Sequence, residues 1–118
     1  MNTFPKTERL CGRNAVQTLY REGRKFVVWP LRVTWSEKHH DAPTAVLVWA
    51  PKSLFKHAVQ RNLLKRRMRE AYRLNKQGIE DKGWHIAFNY MDKTVQPYAV
   101  IEKAVHKAVR KLTQDEHK

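Results

Sequence analysis

Apolar and polar positions along the chain change period several times, and each change marks an element. From Asn14 to Arg21, Ala15, Val16, Leu19 and Tyr20 recur at helical spacing. Asn14 is placed to cap this short first helix and Gly23 to stop it. From Arg24 to Ser36 the period shortens: Leu31, Val33 and Trp35 alternate with Arg32, Thr34 and Ser36, the signature of a half-buried strand, and Pro30 divides the run in two. SEKHHDAP reads as a polar loop. TAVLVW, Thr44 to Trp49, is continuously apolar and is expected to be a central strand ended by Pro51. PKSLFKH is a connecting turn, and a long helix is expected from His57 to Lys76, with Gly78 and Gly83 punctuating its exit. Trp84, Ile86, Phe88 and Tyr90 then alternate with polar or small residues as another strand. The last helix opens at Gln96-Pro97 and carries Val100, Ile101, Ala104, Val105, Ala108, Val109 and Leu112 on one face. The pattern predicts one α+β domain over residues 1–118, with helices packed on a sheet and loose termini at 1–6 and 114–118.

The long helix differs from the others in its polar face. On a wheel of about 100° per residue, Arg61, Lys65, Arg69 and Arg73 form one i, i+4 ridge, with Asn62, Arg66 and Lys76 beside it. Leu63, Leu64, Met68, Ala71 and Leu74 fall opposite, and Arg67 sits near the rim, where its stem can bury while its head reaches water. Lys56 to Lys76 holds eight cations and the single acid Glu70. A helix that needed only solubility would mix signs, because opposite charges four residues apart help by about 0.2–0.5 kcal/mol and like charges cost as much. Three successive like pairs, 61/65, 65/69 and 69/73, therefore point to a polyanion as the counterion. Arg suits bidentate phosphate contacts, and Asn62 offers a donor and an acceptor for a base edge or a ribose hydroxyl.

Composition sharpens this. The hydrophobic fraction is 42%, ordinary for a folded domain, while 24 Lys and Arg against 11 Asp and Glu give a formal charge of +13. Nucleic acid is the leading partner class and an anionic membrane surface the second. Tyr20, Trp35, Trp49, Tyr72, Trp84 and Tyr90 are available to stack on unpaired bases, although most are expected in the core. Tyr20 stands out, since it ends a helix near Arg21 and Arg24. Cys11 is the one cysteine, which excludes an internal disulfide, and no apolar run nears the ~20 residues of a spanning helix. The N-terminus lacks the apolar stretch of a secretory signal, so a cytoplasmic location is expected.

Protein-side catalysis finds no support. The glycines are scattered, with no phosphate-cradling loop. No Cys/His set has zinc spacing, and His39-His40-Asp41 is weak as a metal site. Adjacent carboxylates occur only at Glu80-Asp81 and Asp115-Glu116, too few for a two-metal nuclease, and Ser53 has no evident base. No residue is expected to be catalytic and none to bind metal tightly.

AVQRNLLKRRMREAYR closely resembles the signature of the bacterial ribonuclease P protein subunit, in which Ala-Val-x-Arg-Asn is followed by Lys-Arg and then Arg-Glu. Ala58, Val59, Arg61, Asn62, Lys65, Arg66, Arg69 and Glu70 match. Glu8-Arg9-Leu10 before a helix ending at Gly23, the strand leading into Pro51-Lys52-Ser53 and the final amphipathic helix extend the likeness over nearly the whole chain. Leu63 stands where the family often has a third cation. Lys56-His57 replaces a Gly-Asn pair, with Phe55 before it, and Val16 replaces an aromatic residue. The resemblance implies a two-layer sandwich of a four-stranded mixed sheet and three helices, in the order α-β-β-β-α-β-α and ribosomal S5 domain 2-like. It also implies a ribonucleoprotein that removes the 5′ leader of precursor tRNA by phosphodiester hydrolysis, with catalysis by an RNA subunit and its Mg²⁺. The expected partners are that catalytic RNA and precursor tRNA, with no membrane and no DNA. Arg61, Asn62, Lys65, Arg66, Arg69 and Arg73 are expected to contact RNA. Val16, Tyr20, Trp35, Lys52 and Ser53 are expected to line the leader cleft. The rival reading, a structural or ribosomal RNA-binding protein, explains the charge but not the motif spacing.

Overall fold

A computed structural model describes residue 10 and residues 12–37 and 43–116. Cys11 and the His39-His40-Asp41 stretch lie outside the described residues, as do Glu8 and Arg9. The elements follow the expected order: α1 (Arg13–Glu22), β1 (Arg24–Val28), β2 (Leu31–Ser36), β3 (Ala45–Trp49), α2 (Ala58–Asn75), β4 (His85–Tyr90) and α3 (Tyr98–Glu116). α3 runs to Glu116, beyond the expected start of a loose end at 114, because no breaker follows Leu112.

The sheet order is β1-β2-β4-β3. β1 and β2 form an antiparallel hairpin around Trp29-Pro30, β2 pairs antiparallel with β4, and β3 pairs parallel with β4. β3 is thus an edge strand and not the central one its apolar run suggested. Its composition comes from coverage of its faces. Val46 and Val48 join the main core, while Ala45 and Leu47 pack with α1. The outer edge of β3 is also engaged, since the Leu10 amide donates to the Val46 carbonyl at 2.9 Å.

The main core lies between one face of the sheet and α2 with α3. Leu64, Met68, Ala71 and Tyr72 from α2 meet Ile101, Val105, Ala108 and Leu112 from α3 over Leu31, Val33, Trp35, Ile86, Phe88 and Tyr90. Trp35 stacks at a tilt on Trp84 with centroids 5.4 Å apart, and Tyr72 on Phe88 at 6.2 Å. Leu74 is not part of this face: it is 54% exposed, because the buried stripe of α2 is centred on Leu64, Met68 and Ala71 and takes in Tyr72 instead. Arg67 sits at the rim as expected, donating from Nη1 to the Gln96 carbonyl at 2.6 Å and so tying α2 to the segment that starts α3.

α1 packs on the opposite face, where Leu19 is buried with Leu10, Ala45 and Ala87. Gly12, not Asn14, is its N-cap, with φ 101°, a conformation natural to glycine. Gly23 caps the other end for a different reason. A Cβ there would stand 2.5 Å from the Leu19 carbonyl oxygen and 2.9 Å from that of Trp35, so only glycine lets the chain turn from α1 into β1 at this separation.

Candidate nucleic-acid interface

Two surfaces adjoin along β3: the cationic flank of α2 and the part of the sheet that α1 leaves uncovered. On α2 the expected ridge is not uniform. Arg61 lies three residues before Leu64 and seven before Met68, hence toward the core side, and its Nη1 donates to the carbonyls of Phe55 and Lys56 at 2.7 and 3.0 Å. It pins the turn that leads into the helix while keeping its charge, since carbonyls do not neutralise a guanidinium. Phe55, the bulky departure from the family turn, is buried against Tyr90 at 5.7 Å. Lys65 places Nζ 5.5 Å from the Trp49 ring centroid, within cation–π range. Arg73 is engaged by Glu70: Nε donates to Oε2 at 3.1 Å, and Nη2 makes a second, closer contact with Oε1. The pair holds the Glu70 carboxyl below its usual range and the Arg73 guanidinium above its own. The expectation that all four ridge cations await an external partner therefore fails at Arg73, because the lone acid of the helix lies three residues before it. Asn62 and Arg66 are exposed, and Arg69 is half-buried on the same flank.

The sheet surface is set by strand parity. Residues 46 and 48, 86 and 88, and 31, 33 and 35 face α2 and α3, so the alternate positions face the other way. Register places Trp49 beside Asn89, Asn89 beside Arg32 and Arg32 beside Val27, one row across all four strands. α1 stops short of this row. Its last turn reaches over with Tyr20, whose hydroxyl donates to Asn89 Oδ1 at 2.8 Å. Partial burial raises the Tyr20 pKa, with the Asn89 bond opposing, so the phenol is a neutral donor in ordinary buffers. Below the row a groove of about 340 Å³ is lined by Arg32, Trp49, Pro51, Ser53, Leu54, Asn89, Tyr90 and Met91.

Of the expected cleft residues, Tyr20 and Ser53 lie in or beside this surface and Lys52 is exposed in the same turn. Val16 is half-buried in the packing of α1 on Leu47 and Ala87, and contributes to the support of the cleft. Trp35 does not belong there. It is 1% exposed and its ring projects to the opposite face, into Trp84. Trp49, at 48% exposed, stands at the open position that Trp35 was expected to hold, and Arg32 and Asn89 complete the row. The signal for Arg32 and Asn89 was present as the polar phase of two alternating strands. For Trp49 there was none, because an unbroken apolar run hides which residue faces out.

The surface is rich in cations, aromatic rings and amides and poor in acids. Among the described residues no three His, Cys, Asp or Glu side chains come together as they would around a metal held by protein alone. No described helix is long and apolar enough to cross a membrane.

In sequence and in fold the chain is similar to known proteins. The model of the family described as Ribonuclease P matches residues 4–113. A ribonuclease P protein component from Porphyromonas gingivalis is 36% identical over 115 residues, spanning 91% of this chain and 84% of that protein. One from Picosynechococcus is 35% identical over 83 residues, 70% of each. Among solved structures, the RNase P protein from Thermotoga maritima superposes with a TM-score of 0.74 at 22% identity, over 88% of this chain and 96% of that one. The Staphylococcus aureus RNase P protein does so with 0.71 at 19%, over 91% and 95%.

Proposed function

The chain belongs to the ribonuclease P protein family, subunits of an endoribonuclease that works with an RNA subunit in tRNA 5′ processing, and from that premise we propose how its two adjoining surfaces divide the work. The α2 flank of Asn62, Lys65, Arg66 and Arg69 binds the enzyme's RNA by neutralising phosphates, with Arg61 holding the turn and adding charge. The row of Trp49, Asn89 and Arg32 beneath Tyr20, with Lys52 and Ser53 at its lower edge, holds the single-stranded leader of precursor tRNA.

One observation supports this most directly: an exposed tryptophan and an amide fixed by a phenol lie in one open row, next to a cationic helix. An unpaired nucleotide presents the matching groups, a π-face for Trp49, a base edge for Asn89 and a phosphate for Arg32 or Lys52. The Tyr20 hydroxyl occupies Asn89 Oδ1, leaving Nδ2 as the donor side of the amide toward a base. Holding the leader favours precursor over product, which lacks it, so product departs and turnover continues. Mg²⁺ for the hydrolysis is assigned to the RNA, as the family resemblance implies. The protein's share is binding and charge neutralisation, carried out in the cytoplasm where tRNA precursors are made.

Reconstitution with the catalytic RNA and a labelled precursor tests the division. Trp49→Ala should weaken precursor binding by about 1–3 kcal/mol and leave mature tRNA binding unchanged. Equal weakening of both would remove the leader from this cleft.

A further inference from the structure

The other edge of the sheet, at β1, lies across the sheet from β3. There, between the β1–β2 turn and α3, lies a groove of about 630 Å³ lined by Val27, Val28, Trp29, Val100, Lys103 and Lys107. Its apolar wall is open: Val27 and Trp29 are each 55% exposed. The indole is held in place by its polar edge, Nε1 donating to Asp92 Oδ1 at 3.3 Å. Asp92 is itself fixed by the Thr94 amide at 3.0 Å and the Gln96 side chain at 3.1 Å. The other wall is cationic. Lys103 and Lys107 are exposed one helical turn apart, about 6 Å along the axis. Lys111 follows on the next turn, with Nζ 4.6 Å from the Phe26 ring centroid. These are like-charge i, i+4 pairs, which cost a helix stability without an external counterion. The one acid between Val100 and Lys111 is Glu102, which faces α2 and accepts from Asn75 Nδ2 at 3.2 Å.

We propose that this groove is a second RNA-binding site, which takes an unpaired ribonucleotide with its base stacked on Trp29 and its flanking phosphates on Lys103 and Lys107. An exposed aromatic face next to cations at a one-turn spacing is the arrangement that binds single strands irrespective of sequence. A duplex would not expose a base to the ring. A simple anion would leave the tryptophan wall unused. A second copy of this chain would bring another +13 of charge to a surface that is already positive. The site lies at the sheet edge opposite the proposed leader cleft, so the protein can hold two single-stranded segments at once.

The test uses the full chain with an unstructured octaribonucleotide carrying one 5-iodouridine, irradiated and mapped by peptide mass spectrometry. Adducts at Trp29 are expected alongside adducts in the Trp49 cleft. The Trp29 adduct should persist in Trp49→Ala and vanish in the Lys103→Glu/Lys107→Glu double variant, whose changes are on exposed positions. In titrations Trp29→Ala should weaken the groove site by about tenfold, and Trp29→Phe should recover most of that loss. Lys103→Ala/Lys107→Ala should lower the salt slope by about 1.4. Three results would overturn the site: adducts in the Trp49 cleft with none at Trp29, Lys variants that weaken binding while Trp29→Ala does not, or Trp29-dependent self-association without RNA binding. Because both surfaces are read in one sample, loss of the groove is distinguishable from loss of the leader cleft.

Discussion

Two tryptophans of nearly the same sequence context have opposite fates here. Trp35 ends an alternating strand and is sealed against Trp84, while Trp49 ends an apolar strand and faces outward over a cationic cleft. Their substitutions should separate cleanly. Trp35→Ala should cost about 3–5 kcal/mol of stability, measured by denaturant unfolding, through the cavity it leaves. Trp49→Ala should cost about 1 kcal/mol or less in the same measurement, its effect appearing in RNA binding instead. Asp92 offers a test by pH. Hydrogen bonds from Thr94, Gln96 and Trp29 hold its carboxyl down to about 2. A depressed carboxyl stabilises the fold above its unfolded pKa of about 3.9, and that contribution is lost as pH falls from about 4 through 2. Wild type should therefore lose thermal stability across this window, and Asp92→Asn should lose less, followed by melting temperature against pH.

At the scale of elements, α2 has to do two things with one helix. Its inner stripe of Leu64, Met68, Ala71 and Tyr72 anchors it, and its outer flank carries charge. Arg61 belongs partly to both tasks, since its guanidinium spans the Phe55 and Lys56 carbonyls. Arg61→Ala should lower stability by about 1–2 kcal/mol as well as weaken RNA binding. Arg61→Lys should recover charge but not the two-carbonyl bridge, which needs a planar fork. Arg66→Ala should leave stability within about 0.5 kcal/mol and reduce the salt slope of RNA binding by about 0.7–0.9. Chemical denaturation and binding titrated against salt distinguish the two. The turn between α1 and β1 is equally particular: with two carbonyl oxygens where a Cβ would go, Gly23→Ala should destabilise the domain although its φ of −73° suits any residue.

For the whole molecule, two cationic surfaces lie at opposite edges of the sheet, the α2–β3 edge and the β1–α3 edge, with the core between them. Several acids are engaged within the protein: Glu70 with Arg73, Glu37 with Arg24 at 2.6 Å, and Asp92 with its loop. Catalysis by the RNA subunit, as proposed above, carries a prediction at this scale. Conversion of any single carboxylate to its amide should leave the single-turnover cleavage rate of the reconstituted enzyme nearly unchanged at saturating protein. A collapse at one position, with folding and binding intact, would put a protein group into the chemistry.

What the chain determined by itself is whatever depends on near neighbours. The periods of 3.6 and 2, the apolar run of β3 and the break at Pro30 identified all seven elements, the turn residues bounded them within a residue or two except at the end of α3, and the cation spacing on α2 with its Arg-Asn, Lys-Arg, Arg-Glu motif identified the family. Those signals are local, and a helix face or strand parity repeats them several times over. What the tertiary structure decided is which partner covers each face. β3 is apolar because α1 and α2 both pack on it, not because strands flank it, and no pattern within Thr44–Trp49 distinguishes the two. The same reason sealed Trp35 and exposed Trp49, paired Arg73 with Glu70 and turned Arg61 inward. Exposure and pairing are relations between distant segments, and only folding brings those segments together.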